Sequence, residues 1–146
     1  MYLLDSNVFI AYISPEDRLH QMSYSILEAV QKGRLSAVAS SVSIMETIYV
    51  LKKYKKTNAE INDGAHALLS LDNLAFLPIT SSVVMEAADV ILSYNVGLSD
   101  AIIAVSSVKS GAKAIISDDK DFDRIPFAKR IAIKDALSRK DSDEAR

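Results

Sequence analysis

Tyr2-Leu3-Leu4-Asp5-Ser6-Asn7-Val8-Phe9-Ile10 begins with a short apolar run, stops at an acid, and resumes as an apolar segment. We read it as a buried strand with an aspartate at its carboxyl end, followed by a short helix over Asn7 to Ile13. The same order returns near the other end of the chain. Lys113-Ala-Ile-Ile-Ser117 is an apolar strand that runs straight into Asp118.

The segments between these two stretches alternate in the same way. Ser14-Pro15 has the form of a helix start, with a serine cap, proline in the first turn and Asp17 three residues after the serine. That helix is predicted to run to about Lys32 and to stop at Gly33. Ser36 to Ser40 reads as a second strand, Val42 to Lys56 as a helix, and Asn58 as the cap of a helix reaching Leu71, with Gly64 its weak point. Leu74 to Ile79 reads as a third strand with Pro78 near its end, followed by an amphipathic helix over Ser82 to Tyr94. Ser99 to Lys109 is so apolar that it must be a buried helix, and Ile131-Ala-Ile133 is a candidate fifth strand. Strands separated by helices need crossover connections, so the fold class is a three-layer α/β/α sandwich with a mostly parallel central sheet. Residues 1–135 form the expected single domain, and the polar residues 136–146 the expected frayed tail.

Composition narrows the chemistry. The chain has no cysteine, which removes disulfides, thiolate ligands and thiol nucleophiles and suits a reducing cytoplasm. The first residues lack a basic leader, and no run approaches the ~20 apolar residues of a membrane helix, so a soluble, cytoplasmic protein without membrane contact is expected. Seventeen basic and 19 acidic residues weigh against a generic nucleic-acid binder. They do not weigh against an enzyme whose bound cation meets the phosphate.

In open parallel sheets, ligands bind beyond the carboxyl ends of the strands. Asp5 and Asp118 each follow a strand directly, Glu46 lies early in the helix after the second strand, and Asp100 opens the helix before the fourth. Each acid has an ordinary explanation when taken singly, as a cap, a dipole-compensating charge or an exposed helical residue. Together they share one edge, which independent caps need not do.

These positions resemble the motifs of the PIN-domain family. Asp5-Ser-Asn-Val-Phe-Ile is similar to its opening motif, Ser43-Ile-Met-Glu46 to its second, Leu98-Ser-Asp100-Ala-Ile-Ile-Ala to its third, and Ile116-Ser-Asp118-Asp-Lys-Asp121-Phe122 to its fourth. The likeness spans about residues 2 to 134, with serine at positions 6 and 117 where threonine is commoner. It implies a Mg²⁺- or Mn²⁺-dependent ribonuclease hydrolysing phosphodiester bonds. Asp5, Asp100 and Asp118 are its expected ligands, and Glu46 is a ligand or the base that positions water. Asp121 ranks behind them, and Ser6, Asn7 and Ser117 could orient the carboxylates or contact phosphate. Hard cations prefer such oxygen donors.

A single short domain of this kind resembles the VapC-type toxins of toxin–antitoxin pairs. That resemblance implies an RNA substrate, a small antitoxin protein as partner and a homodimer. A housekeeping RNA-processing nuclease and a catalytically silent binding module are the alternatives. A phosphoryl-transfer domain with an aspartate nucleophile would want a second aspartate where Asn7 stands. His20 and His66 lack metal-ligand spacing. Lys52, Lys53, Lys55 and Lys56 read first as a solvated helix end favoured by the dipole, and second as an RNA-guiding patch. Tyr49 and Tyr54 read first as core residues, and second as stacking platforms for bases.

Overall fold

Leu3 and Leu4 are both fully buried, yet they belong to different cores, because successive side chains of a strand point to opposite faces. Ile115 and Ile116 divide in the same way. A sheet with two apolar faces has to be covered twice, and that requirement determines the architecture.

The computed structural model describes residues 1–138. Its strands are β1 (Tyr2–Leu4), β2 (Ala37–Ser40), β3 (Leu74–Leu77), β4 (Ile115–Ile116) and β5 (Arg130–Ile131). They form one sheet in the order β3-β2-β1-β4-β5, and every neighbouring pair is parallel. The helices are α1 (Ser6–Ile13), α2 (His20–Gln31), α3 (Ser41–Lys53), α4 (Asn58–Leu69), α5 (Ser81–Tyr94) and α6 (Leu98–Lys109). Single 3-10 turns occupy Lys120–Arg124 and Ile133–Asp135. The fold is the expected three-layer α/β/α sandwich. Phe9, Ile26, Leu27, Val30 and Leu68 fill one side with Leu4 and Ile116; Val83, Val90, Ile103 and Phe122 fill the other with Leu3 and Ile115.

Several boundaries differ from expectation for local reasons. Ser14 terminates α1, its N–H bonding to the Ile10 carbonyl, and so does not start the next helix. The Asp17 carboxylate accepts the Leu19 N–H at 2.8 Å, which keeps residues 15–19 in turns, and α2 begins only at His20. The cap of α4 is Thr57 rather than Asn58, in a reciprocal capping box with Glu60. At Gly64 an added Cβ would lie 2.8 Å from the Ile13 side chain, so the glycine permits close packing of α4 against α1. Ala136 is buried and Leu137 packs on the first core, inside the stretch expected to fray; residues 139–146 of that stretch lie outside the described residues.

No single helix among the described residues is long and apolar enough to cross a membrane. The apolar pair α5 and α6 is bent by 118° at its break, and seven consecutive residues of α6, Ala101 to Ser107, are buried in the protein.

Candidate active site

All five strands point their carboxyl ends the same way, so the residues that follow β1, β2 and β4 and the start of α6 gather at one edge. Asp5 follows β1 and caps α1, its Oδ1 accepting the Ser6 N–H at 2.7 Å. It is only 3% exposed. Its Oδ2 accepts the Ser117 hydroxyl at 2.7 Å, across the β1–β4 boundary. The cap and the site are therefore the same residue, and the ordinary explanation does not exclude the chemical one.

Ser117 is a hub. Its hydroxyl donates to Asp5 and accepts from the Asn7 side-chain amide at 3.1 Å and from the Asp119 N–H at 2.9 Å, which uses its full hydrogen-bonding capacity. Arg130 supports the same loop from behind. It donates to the Ser117 carbonyl at 3.1 Å and grips Asp123 through two bonds of 2.9 and 3.0 Å.

Glu46, in the second turn of α3, is clamped between two hydroxyls. Ser6 donates to Oε1 and Ser99 to Oε2, which joins α1, α3 and α6 through one carboxylate. Ser99 carries no signal of its own in the sequence. It falls at the site because it precedes Asp100 in the first turn of α6.

In the fourth motif the adjacent aspartates 118 and 119 point to different places. Asp118 Oδ1 accepts the Ile133 N–H at 2.8 Å, which ties that oxygen to the chain after β5. Its neighbour Asp119 faces the other acids. One carboxylate oxygen from each of Asp100, Asp119 and Asp121 can be chosen so that all three lie within 4.8 Å of one another. Extended backbone alternates sides, so Ser117 and Asp119 share one side and Asp118 takes the other. The signal lies in the Ser-Asp-Asp spacing, where the first aspartate after the strand is the more conspicuous and the second is the one that turns inward. Asp121, ranked second from the sequence, is a full member of this group and reaches it from the 3-10 turn that Asp119 caps.

Crowding acids with little water raises their proton affinity. Burial pushes the Asp5 carboxyl up to about 6; hydrogen bonds from Ser117 and the Ser6 backbone oppose this, while Glu46 and Asp119 add repulsion. Burial takes Asp100 up to about 7, helped by repulsion from Asp119, Asp5, Glu46 and Asp121 in that order. Asp100 is itself only 8% exposed. An all-oxygen donor set whose members repel one another in the apoprotein fits a hard divalent cation and fits no soft metal.

The sequence matches the PIN domain family over residues 2–128, most of the chain. The chain is a PIN domain. No curated protein matches it closely enough in sequence to serve as a relative. Several solved structures resemble it in fold at low identity. VapC20 of Mycobacterium tuberculosis, described as a toxin that cleaves the sarcin–ricin loop, superposes with a TM-score of 0.72 at 16% identity, covering 88% of this chain and 97% of its own. VapBC2 of Rickettsia felis, solved on a DNA fragment from its promoter, gives 0.69 at 20% identity over 90% and 97% of the two chains. A toxin–antitoxin complex from Klebsiella pneumoniae gives 0.64 at 20% identity over 91% and 98%. Two tyrosines expected in the core lie at the surface of this PIN domain instead: Tyr49 is 70% exposed and Tyr54 72%.

Proposed function

We propose that this PIN domain is a Mg²⁺- or Mn²⁺-dependent endoribonuclease and the toxin of a toxin–antitoxin pair. The observation that supports it is the meeting of Asp100, Asp119 and Asp121 beside Asp5 and the clamped Glu46, at the edge where parallel sheets bind ligands. Asp5, Asp100 and Asp119 would hold the cation, with Asp121 assisting from the turn. When bound, such an ion neutralises phosphate charge and favours the ionised form of an attacking water.

The chain's own residues do the rest. Ser117 keeps Asp5 aimed into the site and oriented for a cation. Ser6 and Ser99 fix the Glu46 carboxylate so that its remaining lone pairs can accept a hydrogen bond from the water that attacks phosphorus. Asp118 holds the loop, by way of Ile133, and takes no part in the chemistry. Hydrolysis adds that water to phosphorus and breaks the bond to the leaving ribose oxygen, which takes up a proton.

The toxin role draws on the likeness to VapC20, VapBC2 and the Klebsiella complex. It carries with it a small antitoxin partner, a homodimer and a cytoplasmic setting. The test is cleavage of single-stranded RNA with chelator, and again after manganese is restored. Cleavage that ignores chelator, or that survives in both Asp5→Asn and Asp100→Asn, ends the proposal. Expression that arrests growth, with relief by a small protein encoded beside it, tests the toxin role separately.

A further inference from the structure

Glu46 does not stand alone on its helix. In an α-helix, positions three and seven residues further on lie along the same stripe, about 4.5 and 10.5 Å along the axis. On α3 these positions are Tyr49 and Lys53. Met45 and Lys52 flank the stripe. Val42, Ser43, Thr47 and Leu51 are the buried residues of the helix, and beyond Val42 the stripe turns outward.

Two observations on this stripe bear on its use, and it is their combination that marks it. The first is apolar exposure. Met45 is 65% exposed and Tyr49 and Tyr54 more so. The second is unpaired charge. Lys32, Lys56 and Lys109 each meet a glutamate, whereas Lys52, Lys53 and Lys55 enter no ion pair among the described residues. In a chain of net charge −2, an aromatic-and-basic strip leading to a nest of carboxylates is a local inversion of sign. Beside it, α3 and α4 border a groove of about 540 Å³ whose lining includes Ile48, Lys52, Asn58, Ile61 and Asn62.

We propose that this outer stripe of α3, with Tyr49, Lys52 and Lys53 as its main contacts, is the track on which a single-stranded stretch of RNA approaches the carboxylates. The inference rests on the ribonuclease reading above and adds the surface that the substrate crosses. The chemistry matches the ligand. A tyrosine ring stacks on any base, lysines neutralise successive phosphates, and the adjoining amides offer donors and acceptors to an unstacked base edge. A wholly apolar partner surface would leave the lysines without a role. An RNA strand uses both kinds of residue.

The experiment measures binding and cleavage with the full chain. A fluorescein-labelled single-stranded RNA oligonucleotide is titrated in chelator, where cleavage stops, at several salt concentrations; steady-state cleavage is measured in manganese. Lys52→Gln combined with Lys53→Gln is expected to weaken binding about tenfold and to reduce the slope of log affinity against log salt by about 1.4, near 0.7 for each phosphate no longer neutralised. Tyr49→Ala is expected to weaken binding by about tenfold, and Tyr49→Phe to retain it, because stacking needs the ring and not the hydroxyl. KM should rise in the weakened variants while kcat holds, since none of these residues touches the reacting atoms. Wild-type cleavage with unchanged binding and salt slope in the variants overturns the track and leaves the nuclease intact. A wild-type chain that neither binds nor cleaves RNA overturns both. Variants that bind RNA normally but lose affinity for an antitoxin, or lose self-association, assign the stripe to a protein and also overturn the track.

Discussion

Ser117 and Asp5 are tied by a hydrogen bond of 2.7 Å that spans two adjacent strands and 112 positions of sequence. Because the same hydroxyl also accepts from Asn7 and Asp119, one oxygen sets the spacing of the first and fourth motifs. Ser117→Ala should therefore cost about 1–3 kcal/mol, since it strips partners from groups in a buried setting. Urea unfolding measures the loss. Ser117→Thr keeps the hydroxyl and should recover most of the stability and of any activity; if alanine and threonine behave alike, the hub is wrong.

The neighbouring aspartates at 118 and 119 should separate cleanly. Asp119→Asn is expected to lower RNA cleavage by on the order of a hundredfold and to abolish stabilisation by manganese. Asp118→Asn retains an acceptor for the Ile133 N–H and should stay within a few-fold of wild type in both respects. Asp118→Ala should lose about 1 kcal/mol of stability with little change in kcat. The reverse pattern, with Asp118→Asn inactive and Asp119→Asn active, would return the assignment to Asp118.

The raised carboxyl groups give the apoprotein an inverted response to pH. Asp5 and Asp100 bind protons more tightly folded, at about 6 and about 7, than at their ordinary value of 3.8. Their contribution is fully present below pH 3.8 and is lost as pH rises through 6 and 7, so from these two groups the metal-free protein loses stability between about pH 4 and pH 7. Thermal melts in chelator check this sign. Manganese should reverse it, with a larger gain in Tm at about pH 8 than at about pH 5.5, because cations bind the ionised form. Asp100→Asn removes the repulsion outright. It should melt above wild type at about pH 8 in chelator, by about 1–3 kcal/mol, while failing to cleave RNA. A wild-type Tm that climbs steadily from acid to alkaline pH in chelator would contradict the account.

Ser99 tests the clamp on Glu46 from the side that the sequence did not advertise. Ser99→Ala frees one carboxylate oxygen and should reduce kcat roughly tenfold with little effect on KM, an order of magnitude typical of removing one orienting hydrogen bond from an acting group. Ser99→Thr keeps the hydroxyl and should restore most of the rate. A change confined to KM, or no recovery with threonine, would remove the positioning role.

The sheet was legible because buried parallel strands are nearly continuous apolar runs, and the acids at their ends followed from the rule that ligands bind beyond the carboxyl edge. That rule is what marks Asp5, Glu46 and Asp100 as candidates. Three other features were not legible. Asp118 and Asp119 are adjacent and chemically identical, and only the side-to-side alternation of the backbone distinguishes them. Ser14-Pro15 looks like a helix start until the Asp17 side chain is seen holding the following residues in turns. The reach of Ser99 to Glu46 crosses 53 positions and depends on how α3 lies against α6, which no local pattern encodes.

The position of β1 has a last consequence, for how such a chain is born. β1 is made well before β4, residues 115–116, yet needs it as its neighbour on one side. A ribosome that has threaded out the first hundred residues has produced Asp5, Glu46 and Asp100, yet neither Ser117 nor Asp119 exists to complete the nest. Long-range parallel pairing of this sort closes late, after the intervening crossovers are in place. The carboxylate nest is thus assembled only after residues 115–119 have left the ribosome, however early Asp5 was made.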